Sequence, residues 1–184
     1  MGSIVLFIII IVFFIILFGL ISIFNKYNKL KIKIDESLSS IDVSLAKRYD
    51  VLTKMIEVVK GYAKHEKETL FEVVNLRKNM SVNEKADEDK KMDYNIDKIN
   101  ILKESYPKLK ANENFLELQK TIYDVEEHLQ ASRRFYNSNV AKYNELIYMF
   151  PSNIVAKIFS FKKIEYFKAN DEEKENVKIE EKLG

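Results

Sequence analysis

The residues best suited to chemistry lie in "KHE" at 64–66 and "EEH" at 126–128, which set the two histidines, His65 and His128, beside Glu66 and Glu126. Carboxylates and imidazoles form metal centres in helical bundles, where Glu-x-x-His pairs project inward from facing helices. The spacing does not suit that use. His65 and Glu66 are adjacent and diverge by about 100° on a helix. Glu68 follows His65 in the reverse order, and the residue three after Glu126 is Leu129. The absence of cysteine removes thiolate ligands, disulfides and a cysteine nucleophile. Asp42, Asp50 and Ser132 belong to no nucleophile elbow, and no phosphate loop is present. No catalytic residue, metal or cofactor is expected, and the histidines read as partly exposed groups without a chemical role.

A better-grounded feature is charge placed on or beside apolar stripes. Leu38, Leu45, Leu52 and Val59 repeat at one helical position that Glu66 continues, with Arg48 three after Leu45 and Arg77 four after Val73. Further on, Glu126 follows Ile122 by four and Arg133 follows Leu129 by four. Charges beside a core are costly unless paired and hydrogen-bonded. Arg48, Glu66, Arg77, Glu126 and Arg133 are therefore expected to form Glu–Arg pairs that fix helix register, with a ligand-binding polar pocket as the alternative. Tyr-Asn doublets begin at 27, 94, 136 and 143, the last two a heptad apart, and suit packing with a hydrogen-bonding tip.

The elements that must position these groups begin with an anchor. Residues 4–24, "IVLFIIIIVFFIILFGLISIF", carry no charge, and a helix of that length is about 30 Å long, enough to span a bilayer. Without a basic n-region or a small-x-small site, it reads as a retained membrane anchor rather than a cleaved signal peptide. Lys26, Lys29, Lys31 and Lys33 crowd its far end. The positive-inside rule then puts residues 1–3 outside and the bulk of the chain in the cytoplasm, as a single-pass protein of the cell membrane. The same lysines are candidate contacts for anionic headgroups. Phe159, Phe161 and Phe167, in "IFSFKKIEYF", either join them on the membrane surface or cap the open end of the bundle.

The 30 basic and 28 acidic residues of the 184-residue chain nearly cancel, so no global field selects nucleic acid. Four Gly and two Pro favour few, long helices. The apolar spacing predicts one helix over 30–79, a polar turn and short amphipathic helix within 80–110, a long helix over 112–149, and a short helix after Pro151 with Ser152 as N-cap. The fold class is all-α: a transmembrane helix, then a long-helix, four-helix-type up-and-down bundle over 25–168 and a charged, disordered tail over 169–184.

"YNKL" after the membrane helix, "IDVSLAKRYDVLTKMIEVVKGYAKHEKETL" and "RRFYNSNVAKYNELIYMFPSNIVAKIFSF" together resemble the LemA family of bacterial membrane proteins over nearly the whole chain. The resemblance implies a cytoplasmic membrane protein with a small up-and-down bundle and no established biochemical role. The chain departs from the family where an Asn usually follows the Glu of the second motif and "VEEHLQASRR" stands instead, with Glu127 and His128. The reading that follows is a non-enzymatic membrane-anchored scaffold, bound to lipid through 4–24 and to a protein partner or itself. A metal or ligand sensor and a lipid-surface organiser are the alternatives.

Overall fold

The computed structural model describes residues 2–63 and 71–167. Its helices are α1 (Gly2–Tyr62), α2 (Val82–Ser105), α3 (Pro107–Lys110), α4 (Glu113–Tyr148) and α5 (Ser152–Ile158), with no strand among the described residues. The chain is thus an all-α protein with one long apolar N-terminal helix and a helical bundle. His65, Glu66 and the tail expected at 169–184 lie outside the described residues.

The apolar run and the first bundle helix are one element. α1 continues without interruption through 61 residues, about 90 Å at helical rise. Its N-terminal part is the one helix among the described residues long and apolar enough to cross a membrane, and Ile4 to Phe18 expose their side chains all round. The chain forms two compact units, Met1–Ser37 with Phe135–Glu165, and Leu38–Arg134 with Tyr166–Gly184.

In the first unit α4 runs antiparallel to α1. Asn139 Nδ2 donates to Ser37 Oγ at 3.2 Å, and the Tyr143 ring meets that of Tyr27 with centroids 5.5 Å apart. Tyr27, Ile34, Tyr136, Val140 and Val155 are buried around this seam. Ser152 is the first residue of α5 rather than its N-cap, and its hydroxyl donates to the Leu146 and Met149 carbonyls at 2.7 and 2.8 Å. Those carbonyls belong to the end of α4, where intrahelical donors run out. α5 closes with Ser160 in the left-handed region (φ 55°) and Phe161 N–H on Ala156 O at 2.9 Å, turning the chain back along α4.

In the second unit Ile41, Leu45, Leu52, Met55 and Val59 of α1 share a core with Met92 and Ile99 of α2 and Phe115, Ile122, Val125 and Leu129 of α4. The helix expected to run to 79 ends instead at Tyr62. Residues 71–77 are extended, then a turn with Asn79 at φ 62° leads to Ser81. The Ser81 hydroxyl accepts from Glu84 N–H at 3.2 Å while Glu84 Oε2 accepts from Ser81 N–H at 2.7 Å, a reciprocal box that starts α2. Glu72 and Asn75 contact Asn95 and Glu88 on α2. Three strap residues thus match seven helical ones, about 3.5 Å per residue, the rise of extended chain. The up-and-down order persists with this strap as one leg.

Extended chain alternates its side chains, and that decides which residues point inward. Val74 and Leu76 lean toward the unit, while Val73 is 82% exposed. Val73 and Leu76, placed together by a helical count, therefore separate.

Candidate functional site

Arg48 projects from α1 into the second unit and is buried. Its Nη1 lies 2.5 Å from Asp89 Oδ1, while Nη2 donates to Asp93 Oδ1 at 2.5 Å and to Glu126 Oε1 at 2.9 Å. Arg133 Nη2 pairs with Asp89 Oδ2. Asp89, 1% exposed, thus spans two guanidinium groups. Three helices are tied by one set of ion pairs: α1 by Arg48, α2 by Asp89 and Asp93, α4 by Glu126 and Arg133. Arg133 also stacks over Phe167, 5.0 Å from the ring centroid.

Desolvating such charges costs several kcal/mol each, and close, hydrogen-bonded partners offset it. The cluster holds two arginines against three carboxylates, with Asp93 and Glu126 partly open to solvent. Both Asp89 oxygens, Asp93 Oδ1 and Glu126 Oε1 are turned to guanidinium groups, an arrangement suited to fixing helix register. Arg48 Nε is buried without a hydrogen-bond partner. Among the described residues no group of His, Asp and Glu has the arrangement of a metal site.

One turn back, buried Lys85 reaches Asp42 at 2.6 Å, at the wall of a recess of roughly 450 Å³ that Leu45, Leu76, Lys78 and Met80 also line. Glu88 anchors the strap beside it, accepting from Asn75 N–H and Lys91 Nζ, both at 2.7 Å. Burial pushes Glu88 up, but the hydrogen bonds from Lys91 and Asn75 and the charges of Lys91 and Arg77 outweigh it and hold the carboxyl below its ordinary value.

Two asparagines play a matching part. Asn95 donates through Nδ2 to Glu72 O at 2.9 Å and accepts from Glu72 N–H through Oδ1 at 2.8 Å. In the first unit Asn144 does the same with Ile164, both at 2.9 Å. Each amide side chain satisfies both backbone groups of one strap residue, as a neighbouring strand would. Tyr136 Oη donates to Glu165 O at 2.9 Å beside the second clamp. Burial first, then the negative charges of Glu165 and Asp35, raise the Tyr136 phenol.

Arg48, Glu126 and Arg133 therefore meet, Arg48 directly on Glu126 and Arg133 through Asp89. Arg77 does not join them: it sits on an outward strap position, exposed, 3.7 Å from Glu84. Phe167 is 2% exposed beneath Arg133, so it is a core residue rather than a membrane contact. Phe161 stacks on Tyr27 at 4.5 Å, whereas Phe159 is half exposed against Phe24. Lys26, Lys29, Lys31, Lys33 and His128 are exposed.

Asp89, Asp93, Lys85 and Asn95 escape sequence reasoning because they stand in the charged run "KADEDKKMDYN". Counting back from buried Ile99 and Met92 in helical steps does reach Asn95, Asp89 and Lys85. That periodicity is the signal, and it is carried by polar side chains.

A model of the LemA family matches residues 37–180. The protein "Protein LemA" of Metamycoplasma hominis is 30% identical over 165 residues, covering 85% of this chain and 74% of that protein. "Magnetosome protein MamQ" of Magnetospirillum gryphiswaldense is 30% identical over 64 residues, covering 35% of this chain and 24% of that protein.

Proposed function

The chain belongs to the LemA family, and from that premise we propose that it is a non-enzymatic, membrane-anchored scaffold presenting a cytoplasmic helical bundle to a protein partner or to another copy of itself. The observation that carries this reading is the continuity of α1, whose apolar stretch and buried Arg48 belong to one unbroken helix. A bundle grown directly out of an anchor is suited to hold a surface at the membrane. The cluster that α1 helps to build is occupied by its own ion pairs, which favours a structural duty for it.

The lysines after Phe24 support an N-terminus outside and a bundle in the cytoplasm. Protease added to intact protoplasts tests sidedness: the bundle survives in this orientation, and digestion from outside reverses it. Photo-crosslinking of the full-length protein in its native membrane tests the role. Recurrent capture of one protein, or of a second copy, through the bundle is the expected result. Capture of neither, together with stoichiometric metal or small ligand lost on Asp89→Asn, would overturn the scaffold in favour of a sensor.

A further inference from the structure

Phe24 closes the apolar run, and its ring lies 4.6 Å from that of Phe159 and 5.9 Å from that of Phe161, centroid to centroid. The chain beyond α4 therefore touches α1 at the depth where the apolar run ends. α4 approaches that depth from the bundle side, meeting Ser37 through Asn139 and then Tyr27 through Tyr143. From Tyr143 to Tyr148 it advances about 7.5 Å further. The α4–α5 turn thus passes Tyr27 and comes alongside the last residues of the apolar run.

What the turn exposes there is apolar. Phe150 is 80% exposed and Ile158 63%, and Met149, Ile154 and Phe159 are exposed with them. Ile154 and Ile158 stand one helical turn apart on α5, while Val155 and Ala156 on its other side are buried. The charged residues between Leu146 and Ile164 are Lys157, Lys162 and Lys163, with no Asp or Glu. An outward apolar face edged only by lysines matches the boundary between acyl chains and anionic headgroups. Left in water, a patch of this kind is unfavourable.

We propose that the α4–α5 turn and the outer face of α5 are seated in the leaflet that Phe24 reaches, giving the protein a second membrane contact beside its span. Phe150, Ile154 and Ile158 enter the acyl-chain boundary, and Lys157 lies among the headgroups. The seat rests on Ile4–Phe24 being the span and does not depend on the scaffold role.

The chain contains no tryptophan, so single Phe→Trp variants of the full-length protein report position. Each is reconstituted in phosphatidylcholine–phosphatidylglycerol vesicles whose acyl chains are brominated near the headgroup. Phe150→Trp is expected to lose at least half its emission to the bromines, while Phe135→Trp, exposed on α4 about 20 Å further from the membrane end of that helix, keeps its emission. A Phe150→Trp signal quenched by aqueous acrylamide instead would overturn the seat. So would a blue-shifted signal untouched by bromine, which marks a second protein copy on the patch. Equal bromine quenching of both variants also sinks it, by showing no selective depth. Phe13→Trp at mid-span, read in matching vesicles brominated near the acyl-chain ends, separates the premises: quenched there while Phe150→Trp is not quenched near the headgroup, it leaves the anchor standing and removes only the seat; unquenched, it removes both.

Discussion

Arg48 Nη1 donates to both Asp89 Oδ1, at 2.5 Å, and the Asp89 carbonyl oxygen, at 3.2 Å, so one arginine on α1 grips the side chain and the backbone of a single α2 residue. Asp89 gives its second oxygen to Arg133.

Asp89→Asn leaves two guanidinium groups short of charge in a buried setting. The expected loss is about 3–5 kcal/mol, the range for breaking one side of a buried pair. Glu126→Gln, at a partly exposed position, is expected to cost about 1 kcal/mol. Urea unfolding of the full-length protein in detergent, followed by circular dichroism, ranks the two. Equal losses would show that the cluster is not centred on Asp89.

The asparagine clamps make separable predictions. Asn95→Ala removes both hydrogen bonds to Glu72, and Asn144→Ala both bonds to Ile164, each at about 1 kcal/mol per bond. Amide exchange should quicken at Glu72 in the first variant and at Ile164 in the second, with little crossover. Quickening at both sites in either variant would mean that the straps open together.

The strap at 71–77 should be acid-labile. Glu88 has a carboxyl held below its unfolded value, so its contribution is fully present above about pH 4.3 and is lost as pH falls through the lower folded value. Proteolysis of the strap is expected to rise in that acid window, and Glu88→Gln should show raised cleavage at neutral pH with a flattened acid dependence. An unchanged acid profile in Glu88→Gln would reassign the effect to another carboxylate.

Ser81→Ala deletes half of the reciprocal box that begins α2. A loss of about 1 kcal/mol is expected, and Glu84→Ala should cost no more than that. A double variant less destabilised than the two losses added would reveal their coupling.

α4 is legible because burial imposes helical periodicity on it, the span because an uncharged apolar run matches the bilayer thickness, and the stop near Pro151 because proline ends a helix. Arg48, Glu126 and Arg133 were legible as charges beside that periodicity. Their acidic hub was not, because α2 turns Lys85, Glu88, Asp89 and Asn95 inward, where apolar residues would ordinarily mark the face. The end of α1 was missed for a different reason. "FEVVNLR" has an apolar count that fits either structure, and Val-Val lowers helix propensity only slightly. Asn95, distant in sequence, offers the strap hydrogen bonds that no local rule contains.

The clamps also divide freedom unevenly along the chain. Since α2 and α4 supply the bonds that fix Glu72 and Ile164, the register of each strap is written in its host helix, not in its own outward residues. Val73, Lys162 and Lys163 are exposed and can therefore change identity with little penalty to packing, which makes these positions the natural places for relatives to diverge and for a side-chain label to be attached.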